Sequence, residues 1–149
     1  MTEKPYLRMK EKAILRVVTK AFIPFILLFA FYVQFHGDYG PGGGFQAGVI
    51  FAAGIIVFGL VYGLSAAQQV MSSRAVEIGV ASGVLLFGGV GVASMLMGGN
   101  YLDYRVFDAH DPMHGLHLGV LLIEAGVGIT VACSMIAIFY WFAGREQNR

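Results

Sequence analysis

The stretch HGDYGPGGGFQAG, residues 36–48, decides how the rest of the chain is read. Glycines crowd into it (Gly37, Gly40, Gly42, Gly43, Gly44 and Gly48), and Pro41 stiffens it. A glycine-rich segment can cradle phosphate in a soluble nucleotide-binding fold. That use needs a Lys-Ser or Lys-Thr pair after the glycines. Here Phe45, Gln46 and Ala47 follow instead. Long apolar runs flank the stretch on both sides, which makes it the connection between two membrane helices. Pro41 fixes one φ angle, while Gly42, Gly43 and Gly44 allow positive φ or close approach of another backbone.

Composition supports a membrane protein. Of 149 residues, 57% are hydrophobic and only 13% charged, against about 45–50% and about 25% in soluble domains. Mean hydropathy is +0.70. The formal net charge of +1 gives no basic field for nucleic acid. The single cysteine, Cys133, lies in an apolar run and excludes both an intrachain disulfide and a thiolate metal site.

A helix needs about 20 mainly apolar residues to cross a hydrocarbon core of about 30 Å. Four runs qualify: residues 17–35, 47–67, 78–97 and 118–143. The expected fold is therefore an all-α integral membrane protein with four transmembrane helices in a single membrane domain. Residues 1–16 are basic, with Leu7, Ile14 and Leu15 as apolar positions. They read as an orientation-setting tail or a short interfacial helix. Every Lys and Arg except Arg105 falls on one side of the four spans. The positive-inside rule then places both termini in the cytoplasm. The connections around residues 36–46 and 98–116, with all the histidines at or near them, face outward.

Small residues recur four apart at Gly59 and Gly63, Gly79 and Gly83, and Gly128 and Ala132. Such pairs let helix backbones approach closely in lipid. Asp111 before Pro112 reads as a helix N-cap with proline at the first helical position. His114 and His117 would then sit one turn apart near several carboxylates. Their spacing matches no standard metal motif, so the expectation is a hydrated polar rim with no metal and no cofactor.

Glu124, in LGVLLIEAGVGITVA (residues 118–132), is the one charged residue inside the four apolar cores apart from Lys20 at the start of the first. An ionisable residue in a membrane helix is expensive and marks an ion or proton path by default, with a structural hydrogen bond as the alternative. His117 lies seven residues earlier on the same face, about 10 Å nearer the surface. Glu124 and His117 are the pathway candidates. Burial would raise the glutamate pKa and a nearby cation would lower it.

Two motifs together, GPGGGFQAGVI at 40–50 and HLGVLLIEAGVG at 117–128, resemble the B subunit of multisubunit Na⁺/H⁺ antiporters, the MnhB family. The matching positions are His36, Gly37, Pro41, Gly42, Gly43, Gly44, Phe45, Gln46 and Gly48, then His117, Glu124, Gly126, Val127 and Gly128. Ala125 departs from the larger aliphatic residue of the family pattern. The resemblance covers nearly the whole chain. It implies a non-enzymatic accessory subunit of a bacterial inner-membrane complex that exchanges Na⁺ for H⁺. Partners would be other membrane subunits, including large ones resembling the proton-pumping parts of respiratory complex I. Under it the stretch from His36 to Gly48 is an assembly motif, and Gly126 and Gly128 pack helices. Two alternatives remain open on sequence: a small four-helix homodimeric proton-coupled transporter, and a membrane subunit of an ion-translocating redox complex such as a membrane-bound hydrogenase.

Overall fold

The computed structural model describes residues 5–37, 42–108 and 110–147, with side chains described for residues 13–145 among them. The described residues are helical apart from short connections: α1 (Pro5–His36), α2 (Gly44–Tyr62), α3 (Leu64–Val70), α4 (Ser73–Leu96), a 3₁₀ turn at Tyr104–Phe107, and α5 (Pro112–Gln147). Four of these contain segments long and apolar enough to cross a membrane: Ala13–His36, Gly44–Tyr62, Ser73–Leu96 and Pro112–Arg145. α3, with seven residues, is too short to cross.

Three boundaries differ from the expectation. α1 is continuous from Pro5 through Pro24, so the basic stretch extends the first span rather than forming a separate interfacial element. The run at 47–67 is broken at Gly63, whose φ of +98° and ψ of +158° leave the helical region. Gly63 is thus a hinge between α2 and α3, and a Cβ there would meet nothing within 4 Å. It does not pack helices as its spacing from Gly59 implied. Finally, α4 begins at Ser73, because Ser72 caps it by accepting from Ala75 N at 3.2 Å. That start brings Arg74 and Glu77 into a helix whose apolar run begins only at Ile78.

The helices pack as an open row, α1–α2–α5–α4. α5 packs against α2 on one side and α4 on the other, and α1 covers the outer side of α2. Small residues set the approach. On the α4 side, a Cβ on Gly79 would strike Cys133 and one on Gly83 would strike Thr130, as well as Gly126 O at 2.7 Å. On the α2 side, a Cβ on Gly48 would lie 2.6 Å from Gly128 O, and one on Gly59 would lie 2.6 Å from the Phe139 ring. The buried core runs along this seam through Ala52, Ile55, Val76, Cys133, Ile136 and Tyr140. Tyr140 also donates to Met71 O at 2.8 Å, tying the α3–α4 corner to α5. Aromatic and aliphatic side chains cover the outward faces, as expected where lipid or other subunits take the place of water.

Candidate functional site

The site lies on the side opposite the termini, where α1 ends and α2 begins. α2 and α5 run parallel, with Gly44 opposite Glu124 and Gly48 opposite Gly128 and Ala132. Glu124 is half-buried. Its carboxyl group points into the turn between α1 and α2. A Cβ on Gly37 would lie 2.9 Å from Glu124 Oε2, and one on Gly43 would lie 2.8 Å from Oε1. The glycine-rich turn and the membrane glutamate, about 80 residues apart in sequence, therefore form one site.

Each glycine of the triplet meets a different demand. Gly42 adopts φ +146°, a conformation that L-residues rarely take. Gly43 is extended at φ −175°, which any residue adopts, so its demand is purely steric: the atoms a Cβ would meet all belong to the Glu124 carboxyl group. Gly44 opens α2 with its Cα pressed on the Glu124 backbone, where a Cβ would overlap the Glu124 carbonyl. One turn further along α5, a Cβ on Gly128 would lie 2.8 Å from Gln34 Oε1 and 3.1 Å from Gly44 O. Gly126 faces the other way, with Gly83 O 3.0 Å from its Cβ position. Phe45 and Gln46 are exposed, as is His36, whose ring stacks on Tyr32 with centroids 5.0 Å apart. Pro41, the remaining motif position, lies outside the described residues.

The depth of the turn follows from the same contacts. α5 runs 12 residues from Pro112 before it reaches Glu124, a rise of about 18 Å. The α1–α2 turn is thus recessed relative to the start of α5, and Glu124 is level with the first turn of α2. That turn is the N-terminal end of α2, where the helix macrodipole is positive. Gln34 adds a further polar group that the sequence pattern did not single out. Its amide nitrogen is buried and has no hydrogen-bond partner among the described residues. A glutamine two residues before His36, closing an apolar run, was the signal available.

The α4–α5 connection is built differently. Ser94, fully buried, accepts from Leu102 N at 3.0 Å and has Gly91 O at 2.8 Å and Asn100 O at 3.0 Å as acceptors for its hydroxyl. This holds Leu102 at φ +64°. Asp108 accepts from His110 N at 2.9 Å and Asp111 N at 3.1 Å, and pairs with His114 Nδ1 at 2.9 Å. Bonds from the Asp111 amide, the His114 ring and the His110 amide hold the Asp108 carboxyl below the usual carboxylate range. Burial, with Tyr101 nearby, pushes the Tyr104 phenol up. Asp111 caps α5 through Met113 N at 3.0 Å and His114 N at 3.3 Å, as the Asp-Pro pair predicted. His117 is exposed on α5, two turns from Glu124 toward this loop. Among the described residues no group of three or more His, Cys, Asp or Glu side chains is placed to hold a metal ion.

Comparison with known proteins bears on what this arrangement serves. Residues 14–137 match the family model described as a domain related to the MnhB subunit of Na⁺/H⁺ antiporter. The B subunit of the Na⁺/H⁺ antiporter of Bacillus subtilis (strain 168) is 31% identical over 127 residues, which cover 79% of this chain and 88% of that one. The mnhB2 antiporter subunit of Staphylococcus haemolyticus (strain JCSC1435) is 30% identical over 144 residues, covering 93% of this chain and 100% of its own length. That of Staphylococcus aureus (strain Newman) is 30% identical over 139 residues, covering 85% and 96%.

Proposed function

The chain belongs to the MnhB family of Na⁺/H⁺ antiporter subunits, and from that premise we propose that Glu124, held in the α1–α2 glycine turn, handles an ion or proton within the assembled complex. The protein is a multi-pass bacterial membrane protein and a subunit of a multisubunit Na⁺/H⁺ antiporter. Its relatives favour neither the small homodimeric transporter nor the redox-complex reading.

The observation that carries the role of Glu124 is its placement. A carboxyl group costs least in a membrane where water, a cation or backbone donors reach it. This one lies beside the start of α2, against Gly37 and Gly43, which place no side chain at its oxygens. His117, two turns nearer the loop side, is the next ionisable group along the same helix. Neither residue spans the bilayer alone. Alternating access or linked half-channels need polar groups from other subunits, and the large complex-I-like subunits of such an antiporter are the partners proposed to supply them. The charge pattern orients the subunit with both termini in the cytoplasm, so Glu124 is reached from the external side.

The test uses the complete complex in vesicles. Glu124→Gln should assemble normally but slow Na⁺/H⁺ exchange or shift its pH dependence, and Glu124→Asp should retain part of the activity. Full exchange by Glu124→Gln across pH and Na⁺ concentration would reduce the residue to a structural role.

A further inference from the structure

The end of α5 on the side of the termini carries a groove unrelated to Glu124. It has a volume of about 400 Å³ and is lined by Ala137, Ile138, Trp141, Phe142 and Arg145, within the size range of small-ligand sites. These residues follow helical spacing. Ala137, Trp141 and Arg145 stand one turn apart, with Ile138 and Phe142 beside them. The intervening Tyr140 is buried and turned inward to Met71. Trp141 and Phe142, 74% and 68% exposed, therefore stand on the lipid-facing side.

From Ala137 to Arg145 the helix rises about 12 Å, passing from apolar wall through indole to guanidinium. That order matches a phospholipid: acyl chain along Ala137 and Ile138, glycerol region at the Trp141 ring, phosphate at Arg145. Tryptophan favours the headgroup level of a membrane, and arginine is suited to phosphate. Arg145 makes no ion pair among the described residues. Arg74, in the first turn of α4, is exposed at the same end, because the Tyr140–Met71 bond brings that corner beside α5. Glu77, one turn further into α4, is the described carboxylate there. A second groove, on α1 along Phe25, Phe29, Tyr32 and His36, has no Lys or Arg in its wall, so nothing selects one occupant for it.

We propose that the groove ending at Arg145 is a binding site for an anionic phospholipid. The site is separate from the ion path, and its existence does not depend on the role of Glu124. Its reporter is built in, because Trp141 is the only tryptophan of the chain.

The full chain is reconstituted in phosphatidylcholine vesicles containing, as a minor component, lipid brominated on its acyl chains. Bromine quenches indole fluorescence on contact. Brominated phosphatidylglycerol is compared with brominated phosphatidylcholine at the same proportion. The expected result is an apparent preference of about fivefold for the anionic lipid, the advantage of one cation beside an anionic headgroup. Arg145→Gln should remove that preference while general quenching persists. Equal quenching by the two lipids in the unmodified chain would overturn the proposal. So would a preference that survives Arg145→Gln, and so would absence of quenching by either lipid, the mark of a second copy of the chain seated over Trp141.

Discussion

Two connections lie on the side opposite the termini, and they are made by opposite means. The α4–α5 loop stands on its own side chains: Ser94 gathers its start, Asp108 its end, and Asp111 caps the next helix. The α1–α2 turn, where it is described, relies on absent side chains. Gly37, Gly43 and Gly44 leave room for a residue from another helix, and that residue is Glu124. That loop packs back onto the two helices it joins, with Tyr101 against Gly91 and Tyr104 against Gly119, but its own polar groups fix its path. A turn organised by glycine takes its shape from whatever packs on it. The first kind of connection is structural rim. The second brings backbone against an ionisable group, the arrangement on which the role proposed for Glu124 rests.

The contrast breaks most readily at Gly44. A Cβ there would overlap the Glu124 carbonyl, and backbone cannot swing aside as a side chain can. Gly44→Ala should cost about 3 kcal/mol or more through overpacking and should greatly reduce recovery of assembled complex on native gels. Gly88→Ala, where a Cβ meets nothing within 4 Å, should leave recovery unchanged. On the other connection, Ser94→Ala strands the partly buried Leu102 amide, at a cost of about 1–3 kcal/mol. Hydrogen exchange at residues 98–102 should accelerate while exchange activity of the complex is largely kept. Asp111→Ala removes a cap worth about 0.5–2 kcal/mol and should fray only the first turn of α5, again by hydrogen exchange.

The smallest expected effect is on pH. The Asp108 carboxyl is lowered below its ordinary 3.8 in the folded protein. Its contribution is therefore fully present above that ordinary value and is lost as pH falls through the lowered one. Amide exchange in the α4–α5 loop, corrected for intrinsic rate, should show no loosening due to Asp108 between neutrality and mild acid. A loosening in mild acid that Asp108→Asn removes would contradict this pairing.

The features legible in sequence were those written locally. Four apolar runs gave the spans, and Asp111-Pro112 gave the start of α5. The break at Gly63 was not legible, since the apolar run continues through it and only the backbone angles mark the hinge. The start of α4 was readable from Ser72, but the apolar run drew the boundary to Ile78. The sequence also singled out the glycine turn and Glu124 separately. Their meeting was invisible because it depends on how far α5 extends beyond α2, a long-range register that no local pattern encodes. Gln34 escaped for the same reason: its neighbour Gly128 comes from another helix, about 90 residues away in sequence.

The central claim is that the Glu124 carboxyl group is what the glycine turn is shaped around, and Gly43 tests it most directly. Its backbone suits any residue, and the atoms its Cβ would meet belong to that carboxyl group. A double-mutant cycle measures thermal stability of the assembled complex with Gly43→Ala, Glu124→Ala, and both. Gly43→Ala alone should lower the midpoint, whereas in the Glu124→Ala background, with the carboxyl group gone, it should cost nothing further. An equal loss from Gly43→Ala in both backgrounds would contradict the account.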